Sequence, residues 1–206
     1  MKRLFSFIFA AIAAVSAFAQ TPEEVLKQME TVMNQHEKDG IIMTVEIKIP
    51  ILGTISSKTY AKDNRFRLEA KTMGVGVTTW SDGTTSWVYD SSKNEVTIEN
   101  EKPSSSSDAG DAEMFTGIAD GYDVSFEKQT DQAWYIICKK SKTNTNKDDP
   151  KTMHVVVSKA NYYPISLSAK MSGVTLTMRD LSFGVSDDQV IFDPAKYPGA
   201  NIIDKR

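Results

Sequence analysis

The period of the apolar residues changes once, at Asp39-Gly40, and that change constrains the fold more than any other feature of the sequence. Before it, Val25, Met29, Val32, Met33 and His36 recur every three or four residues, the spacing of one helix face. After it, Ile41, Met43, Val45, Ile47 and Ile49 alternate with Ile42, Thr44, Glu46 and Lys48, the period of a β-strand. The helix has a start signal, because Thr21 can cap it, Pro22 takes the first helical position and Glu24 closes a capping box. The sequence thus predicts an amphipathic helix of about five turns that must lay one face on an apolar surface.

Beyond the first strand, Pro50 and Gly53 break the chain, and Thr54–Tyr60, Asn64–Lys71, Met73–Trp80, Thr84–Tyr89 and Glu95–Glu99 read as further strands. Turn signals separate them at Lys62-Asp63-Asn64, Ser81-Asp82-Gly83 and Ser91-Ser92-Lys93-Asn94. Lys102–Asp111 is a polar loop, and Ala112–Ala119 fits one or two helical turns. A second run follows at Tyr122–Lys128, Trp134–Lys140, Met153–Lys159, Ile165–Met171 and Val174–Phe183, with Lys142–Lys151 as a polar hairpin loop. Short strands joined by tight turns make an antiparallel meander. The expected fold class is mainly β (α+β): a single antiparallel sheet of about ten to eleven strands curved into an unclosed β-barrel, with the N-terminal helix and the short helical segment as a lid.

Such a sheet has a concave face that either the helix or a ligand must fill. The chain carries nine Met. Met73, Met171 and Met178 fall in expected strands, and Met29 and Met33 on the helix. Methionine adapts its shape and suits a surface that accepts variable apolar partners, but it is equally an ordinary filler of core gaps.

The first residues read as an address. Lys2-Arg3, an apolar run from Leu4 to Val15 and the small-x-small site Ala17-Phe18-Ala19 form a secretory signal peptide over residues 1–19, cleaved before Gln20. The run is shorter than the roughly 20 apolar residues of a membrane-spanning helix. Cleavage removes two basic residues and no acidic one from a chain of net charge −3, so residues 20–206 form an acidic domain expected in the periplasm or outside the cell, most simply as a monomer. No Cys stands at the cleavage site to carry acyl chains, which argues against a lipoprotein.

Composition and motifs exclude several functions. The acidic balance gives no drive toward nucleic acid. The single thiol, Cys138, rules out an internal disulfide, and its apolar run Trp134-Tyr135-Ile136-Ile137 marks it as a core residue. His36 and His154 lack zinc-ligand spacing, so no metal or cofactor is expected. The chain has no Gly-x-Ser-x-Gly elbow, Gly74-Val75-Gly76-Val77 lacks the third glycine of a dinucleotide site, and the cluster Asp108 to Glu113 lacks the ligand count of a calcium loop. No motif points to catalysis, although paired carboxylates that meet only in space would leave no sequence signature.

The stretches Tyr60-Ala61-Lys62-Asp63-Asn64-Arg65-Phe66-Arg67-Leu68 and Thr79-Trp80-Ser81-Asp82-Gly83-Thr84-Thr85-Ser86-Trp87-Val88-Tyr89-Asp90 resemble two adjacent motifs of the LolA family of periplasmic lipoprotein carriers. The similarity continues at Tyr163-Pro164-Ile165, from Gly173 to Phe183, and from Phe192-Asp193-Pro194 to Gly199-Ala200-Asn201-Ile202-Ile203-Asp204, which is similar to the closing pattern of that family. The resemblance implies an unclosed barrel whose apolar cavity holds the acyl chains of lipoproteins. It also implies an inner-membrane release complex and an outer-membrane acceptor as partners. Carried over by position, Phe66, Leu68, Met73, Val75, Trp87, Leu167, Leu176 and Met178 would line the cavity, with Lys62, Met29 and Met33 as lid contacts. Lys62 stands where the family has an Arg that ties the lid to the barrel, and Asp63 where it has a Pro; Lys cannot form the same forked contacts. The competing functions are a sensor module of the same fold, which would carry a second domain, and a periplasmic hydrolase. On periodicity alone, Phe66, Leu68, Trp87, Leu167, Leu176 and Met178 could equally pack beneath the helix as a dry core.

Overall fold

The computed structural model describes residues 20–72, 74–101, 115–171 and 173–206. The expected signal peptide, Met73, the polar loop 102–111 and the first part of the helical segment after it lie outside the described residues. From Phe115 to Gly121 the chain forms turns in place of the helix expected to continue there.

Helix α1 spans Pro22–Gln35, with both halves of the capping box in place. The Glu24 N–H donates to Thr21 Oγ1 at 3.2 Å, and the Thr21 N–H donates to the Glu24 carboxylate at 3.0 Å. The helix is shorter than the sequence implied, because the backbone leaves the helical region at His36 and continues as a 3-10 turn, Glu37–Asp39. Outside the helix the His36 ring stacks on Phe183 with centroids 4.2 Å apart and bonds to the Tyr163 hydroxyl at 2.9 Å. Gly40 then turns the chain at a φ of 70°, and a Cβ there would lie 2.7 Å from the Ala61 carbonyl oxygen, so only glycine fits.

The strands are β1 (Ile41–Ile49), β2 (Gly53–Lys62), β3 (Arg65–Thr72), β4 (Val75–Ser81), β5 (Thr85–Asp90), β6 (Glu95–Asn100), β7 (Tyr122–Gln129), β8 (Ala133–Lys140), β9 (Thr152–Ser158), β10 (Pro164–Met171) and β11 (Val174–Phe183). Each falls within two residues of its expected position. After β11 come a one-turn helix α2 (Asp187–Val190), a 3-10 turn Pro194–Lys196 and a strand the sequence did not announce, β12 (Asn201–Asp204).

All the strands form one 12-stranded sheet in the order β12-β6-β5-β4-β3-β2-β1-β11-β10-β9-β8-β7. Two meanders, β1 to β6 and β7 to β11, meet where β1 pairs antiparallel with β11. Among the described residues only the β12–β6 pair is parallel. The sheet ends at β12 and β7 without joining them, so the barrel is unclosed and mainly β, as expected.

Residues directly opposite one another in an antiparallel pair share a face, so the register sorts the strand side chains. Met43, Thr59, Leu68, Thr79 and Val88 form one row on the inner face, and Thr44, Lys58, Glu69, Thr78 and Tyr89 the adjacent row on the outer face. Helix α1 occupies only part of the inner face. Its buried Val25, Leu26, Met29 and Met33 pack with Phe115, Ile41 and Met43, and with Trp134, Ile136, Cys138, Met153, Val155, Val157, Leu167 and Ala169 of β8, β9 and β10. The helix therefore fills the β7 to β11 wing as a dry core.

Candidate functional site: the inner face of the β1 to β6 wing

The other wing has an apolar inner face that α1 does not cover. Residues along β1 show where the helix stops: Ile41 and Met43 are each 1% exposed, whereas Ile47, two inward positions further on from Met43, is 37% exposed. Around Ile47 the register gathers Ile55 of β2 and Leu176 of β11. Beyond β2 the inner face continues through Phe66, Leu68 and Ala70 of β3, Val75 and Val77 of β4 and Val88 of β5. These side chains are only partly buried.

The floor between the large side chains is low. On β2 the inward positions are Ser57, Thr59 and Ala61, all buried, flanked by Met43 and Val45 on one side and by Phe66 and Leu68 on the other. Small residues between rows of large ones shape a trough. The Ser57 hydroxyl donates to the Val45 carbonyl at 3.2 Å, while the buried Thr59 Oγ1 has no hydrogen-bond partner among the described residues. The lining of the trough is therefore apolar with a few small hydroxyls, the composition of a site for an apolar ligand.

Of the residues that the sequence placed in a cavity, Phe66, Leu68 and Val75 lie on this inner face, Leu176 of β11 borders it opposite Ile47, and Met178 of β11 packs against the core beneath α1. Leu167 of β10 sits in that core, at 7% exposure. Met73 lies outside the described residues. Trp87 is on the opposite face: it pairs with Trp80, and its ring stacks on Phe192 of the C-terminal segment. The sequence could not assign its face, because Trp87, Val88 and Tyr89 are consecutive apolar residues and leave no alternation to read. Ile47, Ile55, Val77 and Val88 join the trough without having been singled out as site residues, while Val45 packs against the core beneath α1. The alternation in β1 already pointed Val45 and Ile47 inward.

The expected lid contacts divide. Met29 and Met33 are fully buried on α1 and belong to the packed core. Lys62 points to the outer face, where its Nζ lies 3.0 Å from Asp187 of α2, so its partner is the C-terminal segment and not α1. Arg65 Nη2 reaches the same carboxylate at 3.2 Å. These two cations hold the Asp187 carboxyl below its ordinary range, the hydrogen bond from Lys62 contributing most. The Arg67 guanidinium lies over the Tyr60 ring at 4.3 Å, also on the outer face.

Other titratable groups are accounted for structurally. Burial pushes the Cys138 thiol up to about 11, so it carries no thiolate near neutral pH. In the Ser-Asp-Gly turn burial works against the Asp82 carboxylate, but bonds from the Thr85 N–H and from Thr84 more than offset it and hold the pKa low. His154 lies on the outer face with Glu127 3.2 Å away. A surface cleft of about 660 Å³ lined by residues 147–152, Lys170, Met171 and Gly173 opens beside the β8–β9 loop. Among the described residues no group of three or more His, Cys, Asp or Glu side chains could hold a metal ion.

The fold is shared with solved structures that have little sequence in common with this chain. Lipoprotein LppX from Mycobacterium tuberculosis superposes with a TM-score of 0.51 at 11% identity, covering 78% of this chain and 94% of LppX. LprF from Mycobacterium bovis gives a TM-score of 0.50 at 8% identity, over 85% of this chain and 99% of LprF. A LolA superfamily protein from Nitrosomonas europaea is more distant, with a TM-score of 0.39 at 13% identity over 86% of this chain and all of that one. No family model matches the chain, and no curated protein matches it. The unclosed barrel expected from the sequence is thus a fold that this chain shares with LppX and LprF.

Proposed function

We propose that this chain is a noncatalytic periplasmic carrier that binds the acyl chains of lipoproteins in the trough of its β1 to β6 wing and passes them toward the outer membrane. The observation that carries the reading is the division of the inner face. The long helix is committed to one wing, and an apolar strip that includes Phe66, Leu68, Val75, Val77, Ile47 and Leu176 is left partly exposed on the other. Contiguous apolar surface left outside the core of a folded chain marks a place where something apolar binds. An acyl chain gains about 0.8 kcal/mol for each CH₂ withdrawn from water, so a lipoprotein crosses an aqueous compartment only inside such a site. Release requires that the bound state be only modestly favoured, which suits a trough more than a sealed core.

In this reading residues 1–19 direct export and are removed, and residues 20–206 act in the periplasm. The donor is an inner-membrane release complex and the recipient an outer-membrane acceptor. The test is competition against a fluorescent apolar probe by a triacylated lipopeptide and by the same peptide without acyl chains. Saturable displacement by the acylated peptide alone, lost in Phe66→Asp and Leu68→Asp but kept in Trp87→Phe, is the expected result. Failure of both probe and lipopeptide to bind overturns the reading.

A further inference from the structure

We propose that the tip of the β1–β2 hairpin is a docking finger for an anionic lipid bilayer, with Ile51 and Leu52 entering the interface and Lys48 and Lys170 contacting headgroups beside it. Ile51 is fully exposed at 105% and Leu52 is 78% exposed. Neither contributes to folding in a way that would explain its apolar side chain there. Ile51 also adopts a φ of 73°, the left-handed region that β-branched residues avoid. Asp63 after β2, Asn94 before β6 and Asp180 in β11 also take this region, with side chains suited to it, and Tyr162, the other exception, is held by stacking on Trp134 at 5.2 Å, a contact Ile51 does not have. An isoleucine that is both solvent-exposed and conformationally strained is retained for something outside the fold.

The surroundings identify the partner. On the outer face Lys48 stands opposite Thr175, and Thr175 stands opposite Lys170, so two exposed lysines flank one threonine at the same end of the sheet as the tip. On the inner face of that end, Ile47 and Met171 are 37% and 42% exposed. Apolar side chains at a tip with a collar of lysines behind them match a membrane interface, where the tip enters the acyl boundary and ammonium groups meet anionic headgroups. The inner row of β1 leads from the trough to this tip, so the docked end is the one at which the trough opens. The inference goes beyond acyl-chain binding and does not depend on it.

Sedimentation of the purified protein with vesicles tests it, using equimolar phosphatidylglycerol and phosphatidylcholine against phosphatidylcholine alone. The double variant I51N/L52N, in which asparagine suits the left-handed turn, should bind mixed vesicles about tenfold or more weakly than the wild type, with no loss of thermal stability. K48E/K170E should lose the preference for anionic vesicles. A tryptophan at Leu52→Trp should shift its emission to the blue on mixed vesicles. Equal partitioning of the wild type and I51N/L52N, or an unshifted tryptophan, overturns the finger; equal partitioning of the wild type on the two vesicle types overturns the lysine collar. Lipopeptide competition in vesicle-free solution reads the trough separately, and I51N/L52N should leave it unchanged.

Discussion

The Trp87 ring stacks on Phe192 with centroids 5.8 Å apart and planes 17° from parallel, on the face of the sheet opposite Phe66 and Leu68. Phe192 also meets the edge of Trp80 at 5.3 Å, and Tyr197 packs on Trp80 and Tyr89 at 5.5 and 4.5 Å. The C-terminal segment that carries Phe192 and Tyr197 leaves β11 in the middle of the sheet, pins α2 to Lys62 and Arg65, and ends as β12 on the far edge beside β6. It is a strap across the back of the β1 to β6 wing. It gives that wing an aromatic core on its outer side, separated by the sheet from Phe66 and Leu68 on the inner side.

Phe192→Ala should therefore destabilise the protein while sparing the trough. A buried Phe truncated to Ala costs about 3–5 kcal/mol, and the partial exposure of Phe192 brings the expected loss to about 2–3 kcal/mol. Urea unfolding should show a lower midpoint with an unchanged slope. Lipopeptide binding at a temperature where the variant remains folded should match the wild type. A midpoint within error of the wild type would mean that the strap contributes nothing to the wing.

The two wings should answer differently to truncation on the same inner face. Met29→Ala or Met33→Ala empties a fully buried position beneath α1, and should cost about 2–5 kcal/mol. Leu68→Ala removes a side chain that is already partly exposed, and should cost about 1 kcal/mol or less. Chemical denaturation of the three variants side by side measures the contrast. A loss at Leu68 as large as that at Met29 would mean that the β1 to β6 wing is packed as tightly as the other, leaving no room for a ligand.

Local periodicity carried most of this architecture. The helix cap at Thr21, the change of period at Gly40 and eleven strands were legible, because alternation and turn residues are properties of short windows. What was not legible depends on contacts far apart in the chain. Strand β12 is four residues long and pairs in parallel with β6, roughly a hundred positions earlier, so no local pattern marks it. The face of Trp87 was hidden because apolar residues lie on both sides of β5. The division of the inner face was hidden as well, since which strands α1 covers is decided by packing against β8, β9 and β10 and not by the helix sequence alone.

Cys138 should behave as an inert core atom. Burial first, and the charge of Glu23 second, push its thiol up to about 11. In the native protein at about pH 8 an aromatic disulfide reagent should label it only as fast as the core opens, and in urea it should label at the rate of a free thiol. Rapid labelling of the folded protein would show that α1 lifts readily from the β7 to β11 wing.

The pairing of the strap at Asp187 gives a pH dependence whose sign is fixed. Lys62 and Arg65 lower the Asp187 carboxyl from its usual 3.8, so the folded chain holds fewer protons there than the unfolded chain does as the pH falls through that range. The resulting stabilisation is fully present above 3.8 and is lost as the pH drops through the lowered folded value. Asp204 lies at about 2 for a similar reason, its partner being Arg206, and Asp82, Asp90 and Asp188 are lowered as well, so acid weakens the protein at several places. Asp187→Asn isolates one of them, because the other carboxylates titrate equally in both proteins. The melting temperature of the wild type should exceed that of the variant at about pH 6, and the gap should narrow steadily as the pH falls below 3.8. Added salt at about pH 6 should narrow it too, since the ion pair is exposed to solvent. A gap that does not narrow below pH 3.8 would mean that Asp187 acts through its packing or through neutral hydrogen bonds, and that charge does not hold the strap in place.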